Sequence, residues 1–222
     1  MEVAQQQGSL VADVAGESLT PSFDRSLYWP AQNTLFVADL HLGKGSAFRA
    51  GAIPVPSGNT QDTLDRLTLA IQASEAKRLC ILGDLWHAQA GRTEGSMDSF
   101  KRWRDRHPSL EVLFVEGNHD RKGQPLPDDL DIQTVPSGHP LGPFRLVHEP
   151  EDREDGYALA GHIHPAVRLI GKGDQTMALP CFWFGPSCGV LPAFGSFTGL
   201  ARVRPGATDQ VFVIAERKVL KV

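Results

Sequence analysis

Three short apolar runs in the first half of the chain each end directly at residues able to bind a ligand. The runs and the residues that follow them are 34–38 before Asp39, 79–82 before Gly83-Asp84, and 111–115 before Glu116-Gly117-Asn118-His119-Asp120. Apolar runs of this length, rich in β-branched and aromatic residues, are typical of buried strands. A chain built this way gathers polar side chains where its strands end.

Helical patterns separate these predicted strands. Apolar residues recur at the spacing of one helix face between residues 64 and 71, after a capping residue at Asn59 or Thr60. A second helix is predicted over residues 97–106, with Pro108 beyond its end. The order strand, helix, strand, helix, strand indicates an α/β sheet, in which ligands collect at strand ends.

The second half of the chain has a different pattern. Helical periodicity fades, and short apolar runs alternate with turn residues, which predicts a β-rich region. The predicted strands cover residues 144–147, 157–160, 167–170, 178–184, 200–203 and 211–215. Residues 180–199 are dense in Gly and Pro, as in an ordered, turn-rich segment. Residues 1–25 read as a loose leader or edge strand, with weak alternation around residues 10–14.

Length and composition favour one domain spanning residues 1–222. The chain has 222 residues, 41% of them hydrophobic, which is enough for one well-packed core. The net charge of −4 excludes a whole-protein positive field for gripping nucleic acid but leaves room for a local basic rim.

Cysteine usage and the N-terminus point to a cytoplasmic protein. Cys80, Cys181 and Cys188 are odd in number and widely spaced, which gives no disulfide framework and predicts reduced, mostly buried thiols. The N-terminus lacks the basic and apolar regions of a signal peptide. No run approaches the roughly 20 apolar residues of a membrane helix, so no membrane association is expected.

The polar residues that end or follow the apolar runs form an ordered set rich in metal-binding side chains. Five of the eight histidines belong to it. The set comprises Asp39, His41, Asp84, Asn118, His119, Asp120, His148, His162 and His164. Because alternate residues of a strand point to one face, Asp39 and His41 are predicted to reach the same point, and so are His162 and His164.

This set fits a binuclear metal centre. Two divalent cations a few ångströms apart can clamp a phosphate ester and lower the pKa of a bridging water. Asp84 is our candidate for the carboxylate that bridges both ions. Ligation by His, Asp and Asn without Cys suits Mn²⁺, Fe or Zn²⁺. Any single Asp-x-His or His-x-His is weak evidence, since core and surface histidines are common; the ordered set carries the prediction.

The order Asp-x-His, Gly-Asp, Gly-Asn-His-Asp, His, Gly-His-x-His resembles the calcineurin-like metallophosphoesterase superfamily. The resemblance implies an α/β (α+β) four-layer αββα sandwich, in which two mixed β-sheets lie face to face with helices outside. It also implies a metal assignment. The first ion would be bound by Asp39, His41, Asp84 and His164, and the second by Asp84, Asn118, His148 and His162.

Three further residues of this region have predicted catalytic roles. The resemblance implies that His119 is not a ligand but protonates the leaving oxygen, a role that suits a side chain titrating near neutrality. Asp120 could steady the loop or the His119 ring, or simply cap the loop. His87 stands three residues after Asp84, where the protein-phosphatase branch carries an Asp. This departure resembles the nuclease branch and predicts a supporting catalytic role for His87, the alternative being a partly buried loop histidine.

Further segments are similar to the bacterial ligase-associated metallophosphoesterases of the PdeM type. The matching stretches are residues 39–44, Phe48-Arg49, residues 51–58 and residues 191–199. The resemblance implies a manganese-dependent DNA phosphodiesterase, an endonuclease on single-stranded DNA, working in DNA repair with a ligase and a helicase. The chain has no room after residue 164 for the capping domain of the larger SbcD-type nucleases.

Candidate substrate contacts follow from position. Lys44, Arg49 and Arg121 flank the predicted ligands and could contact phosphate. Aromatic side chains could stack on unpaired bases, although ordinary packing is the alternative for each. The aromatic candidates are Phe48, Trp86, Phe194 and Phe197.

Two other functions remain open at this stage. One is a small-molecule phosphodiesterase or pyrophosphatase, acting on a cyclic nucleotide or a nucleotide-sugar, with the predicted loop over residues 40–58 as its lid. The other is a non-catalytic scaffold on the same fold.

Overall fold

The structure is a computed structural model that describes residues 10–50, 58–170, 176–196 and 198–222. The first part of the predicted leader, the middle of the predicted loop over residues 40–58, and Phe197 lie outside the described residues.

The first half of the chain forms a seven-stranded mixed sheet whose strands follow one another in chain order. Its strands are β1 (Ala12–Val14), β2 (Glu17–Pro21), β3 (Leu27–Trp29), β4 (Thr34–Val37), β5 (Arg78–Leu82), β6 (Glu111–Val115) and β7 (Gln133–Val135). Strands β1 to β4 pair antiparallel and β4 to β7 parallel. The three predicted strands are confirmed as β4, β5 and β6, and the predicted edge strand as β1.

Three α-helices follow the parallel strands. They are α1 (Lys44–Ala50), α2 (Asn59–Ser74) and α3 (Glu94–Asp105), with short 3₁₀ turns at Pro30–Gln32, Gln89–Gly91 and Asp128–Leu130. Helix α1 corrects the prediction of an uninterrupted loop over residues 40–58.

The ends of the two predicted helices differ from expectation. Helix α2 begins after Gly58, which has φ 102° and offers no side-chain cap, so neither Asn59 nor Thr60 is the cap. The Thr60 hydroxyl instead accepts a hydrogen bond from the Gly43 N–H at 3.0 Å, tying α2 to the loop after β4. Helix α3 starts at Glu94, three residues earlier than predicted, because Thr93 caps it by accepting from the Ser96 N–H.

The second half of the chain forms a nine-stranded mixed sheet. Its strands are β8 (His139–Leu141), β9 (Phe144–Leu146), β10 (Tyr157–Ala160), β11 (Pro165–Ile170), β12 (Thr176–Phe184), β13 (Cys188–Val190), β14 (Ala201–Arg202), β15 (Gln210–Ala215) and β16 (Lys218–Lys221). The order is β14-β11-β12-β13-β10-β9-β8, and β15 joins β12 to β16. All six strands predicted for this half are present.

The main hydrophobic core lies between the two sheets. It packs aromatic side chains of the first sheet, such as Phe36, against those of the second, such as Phe144 and Phe182. A second core lies under helices α2 and α3, where Leu67 and Phe100 are fully buried. The α/β sandwich of two mixed sheets is therefore confirmed, and in the described part of the chain all three α-helices belong to the first sheet.

Side chains of the second sheet alternate between two faces. On β12, Phe182 and Phe184 belong to the core between the sheets, whereas Leu179 and Cys181 belong to a separate cluster on the opposite face. In the described ranges no helix covers that opposite face. This alternation fixes which residues of β12 and its neighbours face the first sheet.

The two sheets meet where the parallel strands of the first sheet end. Ala38, just after β4, forms an isolated bridge with Ala193 of the second half. The N–H of Phe194 donates to the carbonyl of Ala38 at 2.7 Å, and that of Gly195 donates to the carbonyl of Asp39 at 2.9 Å. This junction holds the residues after β4 against the second half of the chain.

Candidate metal centre

Two clusters of metal-binding side chains lie at this junction. The first cluster consists of Asp39, His41 and His164, and within it one ligand atom from each residue lies within 4.8 Å of the others. The second cluster contains Asp84, His148 and His162 with the same spacing. Both clusters combine residues from the two halves of the chain.

Potential ligand atoms of the first cluster lie close to one another. The Nε2 atoms of His41 and His164 are 3.2 Å apart, and Asp39 Oδ1 is 3.7 Å from His164 Nε2. Asp39 is fully buried, yet its Oδ1 has no hydrogen-bond partner among the described residues. Its other oxygen accepts from the His162 N–H at 2.9 Å. A buried carboxylate oxygen with no donor is costly alone and is a natural cation ligand.

The second cluster gains the side chain of Asn118. Its Oδ1 lies 3.0 Å from His148 Nε2 and 3.1 Å from His162 Nδ1. Those two imidazole nitrogens are themselves 3.1 Å apart. The donor set of one carboxylate, one amide oxygen and two imidazoles suits a borderline divalent cation.

Asp84 links the two clusters. Its Oδ2 is 3.9 Å from His41 Nε2 of the first cluster, and its Oδ1 is 3.5 Å from His148 Nε2 of the second. Oδ1 also accepts the backbone N–H of His119 at 3.0 Å. The residues present therefore fit two cations that share one carboxylate.

Burial keeps the imidazole of His41 in its metal-binding form. Desolvation, together with the neighbouring His164 and Lys44, lowers the pKa of His41 to about 2. Because only a neutral imidazole has a lone pair for a cation, this environment favours ligation. Desolvation also raises the pKa of Asp84, a penalty that a bound cation would offset.

Backbone carbonyls orient two of the imidazoles. Nδ1 of His148 is 3.1 Å from the carbonyl of Leu82, and Nδ1 of His164 is 3.1 Å from the carbonyl of Gly199. A carbonyl can only accept, so both Nδ1 atoms carry the proton and both Nε2 lone pairs face their clusters. Such outer hydrogen bonds fix the tautomer of metal-binding histidines.

Strand alternation is not what brings the ligands together, which corrects our prediction. Strand β4 ends at Val37 and β10 ends at Ala160, before the ligands begin. Five ligand residues have left-handed backbone: Asp39 (φ 53°), His41 (47°), Asp84 (47°), His162 (69°) and His164 (54°). For residues other than Gly such conformations cost roughly 1–3 kcal/mol each and concentrate at functional sites. Tight left-handed turns, rather than a pleated strand, aim these side chains.

Two glycines leave space that the ligands occupy. A Cβ on Gly83, which has φ 81°, would fall on the ring of His148. A Cβ on Gly161 would lie 2.6 Å from Asp39 Oδ2 and 2.7 Å from the Ala38 side chain. The Gly-Asp and Gly-His motifs of the sequence therefore have a packing reason: each glycine makes room for a ligand of the opposite sheet.

His119 stands at the edge of the centre with its side chain 36% exposed. Its Nε2 is 3.8 Å from Asp84 Oδ2, and its ring stacks on the ring of His87 with centroids 5.4 Å apart. Burial, together with Lys44 and His119, lowers the pKa of His87 to about 4. The side chains of His119 and His87 thus form one imidazole pair beside Asp84.

Asp120 faces backbone rather than the His119 ring. Its carboxylate is buried and accepts the N–H groups of Leu85, Trp86 and Gly117 at 3.0–3.2 Å. Desolvation raises its pKa to about 6 in spite of those three donors. Asp120 joins the loop after β5 to the loop after β6, which corresponds to the loop-steadying alternative.

The three predicted phosphate contacts have different surroundings. Lys44 starts α1 with its ammonium 5.5 Å from the centre of the Phe48 ring. Arg49 is exposed on the same helix and donates to the Ser46 hydroxyl at 3.2 Å. Arg121 is exposed but donates to Glu149 at 3.1 Å, which neutralises much of its charge.

Only one of the described aromatic candidates is placed to meet a substrate. Trp86 and Phe194 are fully buried, which corresponds to the packing alternative and excludes stacking on a base: Trp86 packs on Phe100, and Arg66 covers Phe194. Phe48 is half-buried and lies edge-on to the His87 ring with centroids 5.6 Å apart.

Sequence reasoning missed Arg92. Its guanidinium lies over the Trp86 ring and 3.9 Å from Asp120 Oδ1, so it supports the same loop junction. A single arginine in a polar segment carries no spacing or motif that would have marked it.

Two mixed sheets with a pair of joined His/Asp clusters at their junction define the class of binuclear metallophosphoesterases. No protein-family model matches the chain, and no curated protein sequence is significantly similar to it. Among solved structures, the chain is similar to the Pseudomonas putida nuclease MPE, with a TM-score of 0.83 and 33% identity over 97% of this chain and 100% of that one. It is also similar to Yfce, a phosphoesterase from E. coli, with a TM-score of 0.44 and 15% identity over 85% of this chain and 97% of that one.

Identity of one third over the whole length of the first relative establishes the family. The chain belongs to the calcineurin-like metallophosphoesterases, and it is a metal-dependent phosphoesterase. No helix among the described residues is long and apolar enough to cross a membrane.

Proposed function

We propose that this protein is a manganese-dependent endonuclease that hydrolyses phosphodiester bonds of single-stranded DNA. The observation that carries the proposal is the convergence of seven candidate ligands on two joined clusters, in a chain one third identical to a nuclease over its whole length. A phosphodiester of a nucleic acid is the substrate that both facts accommodate.

The proposed ligands follow the two clusters. Asp39, His41 and His164 would hold one ion, Asn118, His148 and His162 the other, and Asp84 both. When bound, the ions would supply positive charge for the phosphate and a reactive water at neutral pH. Because the imidazoles and carboxylates are held by left-handed turns and carbonyl hydrogen bonds, they need little rearrangement to bind.

His119 is the proposed general acid. Its backbone N–H donates to Asp84 and its side chain is partly exposed, so it stands next to the centre yet can reach a substrate. A sugar oxygen is a poor leaving group, and donation of a proton to it contributes about 10²–10⁴-fold. His87 supports the acid by stacking on its ring. Asp120 acts through the loop that carries His119 and is a positioning residue.

Helix α1 supplies the proposed contacts for a flexible strand. Phe48 extends the imidazole pair of His87 and His119 outward, and Lys44 stands over its ring. A base can stack on a half-exposed aromatic ring while the neighbouring ammonium meets a phosphate, a combination typical of single-strand binding. Arg49 lies on the same helix, whereas Arg121 would first have to leave Glu149.

Manganese is the proposed metal, and DNA repair is the proposed process. Manganese suits the His/Asp/Asn donor set, and Fe or Zn²⁺ are the alternatives that a metal analysis would separate. Action in DNA repair beside a ligase and a helicase rests on the family resemblance of residues 39–44, 48–49, 51–58 and 191–199.

A substrate panel tests the proposal. Metal-stripped protein is supplied with Mn²⁺, Zn²⁺ or Mg²⁺ and offered circular single-stranded DNA, duplex DNA, a generic aryl phosphodiester and a cyclic nucleotide. Cleavage of the circle with Mn²⁺ is expected, since a circle has no ends and reports endonuclease action. Strong hydrolysis of the cyclic nucleotide without cleavage of DNA would replace the proposal with a small-molecule phosphodiesterase. Absence of all hydrolysis with every ion would favour a scaffold.

A further inference from the structure

The second sheet carries an uncovered surface next to the metal centre. On β12, Phe182 and Phe184 are packed between the sheets, whereas Thr176 and Ala178, further back on the same face, are exposed. The face that the first sheet covers at one end of β12 is therefore open to solvent at the other end. Side-chain alternation along the strand makes this one continuous face.

Two neighbouring strands extend this open face. Val167 of β11 and Val203, just after β14, belong to the cluster on the opposite face, so Arg168 and Arg202 point to the open one. The register pairs Arg168 with Ala178 and Ala166 with Arg202. The result is a groove of about 260 Å³, which we call the β11–β14 groove. Its lining residues are Ala166, Arg168, Thr176, Ala178, Leu200 and Arg202.

The groove begins at a ligand of the first cluster. Strand β11 starts at Pro165, directly after His164, and the N–H of Ala201 in β14 donates to the His164 carbonyl at 3.0 Å. The Nδ1 of His164 meets the Gly199 carbonyl. Four residues at the rise of a strand place Arg168 about 13 Å from His164. A chain bound at the centre and continuing along β11 would reach both arginines.

The charges of the groove are available to a ligand. Arg168 and Arg202 are exposed, and neither makes a hydrogen bond or ion pair with any described residue. Arg145 and Arg153, by contrast, are both held by Asp155. Ala166 and Ala178 have short side chains, so a ligand lying between the arginines meets an open floor rather than bulky groups.

The opposite side of the centre repels the same ligand. After His148, the loop over residues 149–155 contains five acidic residues and one arginine. The cavity on that side is lined by Glu151, Asp152 and Asp209. A polyanion bound at the centre therefore meets negative charge beyond the second cluster and arginines beyond the first cluster. Electrostatic complementarity favours the side of the first cluster.

We propose that the β11–β14 groove binds the phosphodiester backbone of the substrate strand a few nucleotides from the bond that is cut, with Arg168 and Arg202 contacting phosphates. This inference rests on the proposed function, because it presumes a polynucleotide substrate. It assigns a direction to the strand, from the metal centre past His164 and along β11.

The test compares substrates of different length in paired variants. We would measure kcat and KM with Mn²⁺ for a long single-stranded oligonucleotide, a dinucleotide and an aryl phosphodiester. In R168A/R202A, KM for the oligonucleotide should rise about tenfold. The slope of log KM against log salt concentration should become smaller by roughly 1.4, because each phosphate contact on a single strand contributes about 0.7 to that slope and two contacts are lost. Constants for the two short substrates should stay unchanged, since neither reaches the groove.

Two matched variants complete the design. R102A/R106A removes two charges from exposed positions at the end of α3, Arg102 within the helix and Arg106 directly after it, and should leave KM for the oligonucleotide unchanged. R168K/R202K keeps the charges and should retain most of the affinity. An unchanged KM in R168A/R202A, or an equal rise in R102A/R106A, would overturn the groove alone. Wild-type protein that hydrolyses the aryl diester but no DNA would overturn the proposed function and the groove with it.

Discussion

Asp84 links the two candidate metal-binding clusters, which face opposite electrostatic surroundings. The first cluster is bordered by Lys44 on α1 and by the arginines of β11 and β14, whereas the second is followed by the acidic loop over residues 149–155. They also differ in exposure at one member, since two residues of each cluster are buried but His164 is partly buried while His162 is exposed. The two clusters thus have similar ligand sets but different surrounding charge, and an anionic substrate would favour the side of the first cluster.

The largest effect is expected from removing what the clusters share. In Asp84→Ala both ions lose a ligand, so the variant should bind neither tightly and lose activity by about a thousandfold or more, because several kcal/mol of charge stabilisation disappear. Metal content after gel filtration and the rate on an aryl diester measure this. Retention of one full equivalent of metal would contradict the assignment of Asp84 as a ligand of both ions.

Removing the proposed acid should leave both clusters intact. His119→Ala should keep two equivalents of metal and lose about 10²–10⁴-fold in kcat on DNA, where the leaving oxygen needs a proton. The loss should be much smaller on an aryl diester, whose leaving group departs without one. A variant that loses metal, or that loses both activities equally, would show that His119 is a ligand instead.

A matched pair of single-ligand variants separates the clusters. Asp39→Ala should remove the ion of the first cluster and Asn118→Ala that of the second, each leaving about one equivalent of metal by stoichiometric analysis. We expect Asp39→Ala to bind its remaining ion in the more exposed cluster. Loss of both ions in either variant would mean that the clusters are one cooperative unit.

A pair of glycine variants tests the packing of each cluster. Gly83→Ala should displace the His148 ring of the second cluster, and Gly161→Ala should crowd Asp39 of the first. Each should weaken metal binding, Gly83→Ala more, because Gly83 also has positive φ and its Cβ would meet a ring rather than a carboxylate. Equal wild-type metal content in both variants would show that the glycines are not required for ligand packing.

The smallest expected effect on chemistry, with a clear effect on stability, comes from the loop junction. Asp120→Ala leaves three buried N–H groups without an acceptor, which should lower the free energy of unfolding by about 1–3 kcal/mol. Asp120→Asn keeps one carbonyl oxygen and should lose less. Urea unfolding measures both. A stability equal to wild type in Asp120→Ala would mean that water or Arg92 replaces the carboxylate.

The sequence was sufficient to predict the strands that carry the site, because these strands are buried. Strands β4, β5 and β6 are buried on both faces, so each reads as an unbroken apolar run that stops at its ligand. Short strands such as β2, β3 and β8 were missed, because three to five residues between turns give too little periodicity. Helix α1 was missed because Gly-rich, partly polar residues after His41 read as loop.

The residues of the site could be predicted from the sequence more fully than their arrangement in space. The spacing of Asp39 and His41 suggested strand alternation, yet left-handed turns bring them together. Asp and His are enriched in the left-handed region, but too weakly to mark these positions from the sequence. Burial of Trp86 and Phe194, and the pairing of Arg121 with Glu149, depend on contacts between segments far apart in the chain. Arg168 and Arg202 have no motif at all; only the register of β11, β12 and β14 places them on one face.

The division of ligands between the two sheets has a consequence for how the molecule could be controlled. Asp39, His41, Asp84 and Asn118 come from the half of the chain before residue 120, and His148, His162 and His164 from the half after it. Neither half contains all members of either candidate cluster, so we expect phosphodiesterase activity only when the two sheets are packed together. The enzyme would therefore suit a fragment-complementation assay: two separately expressed halves would report their association by the appearance of phosphodiesterase activity.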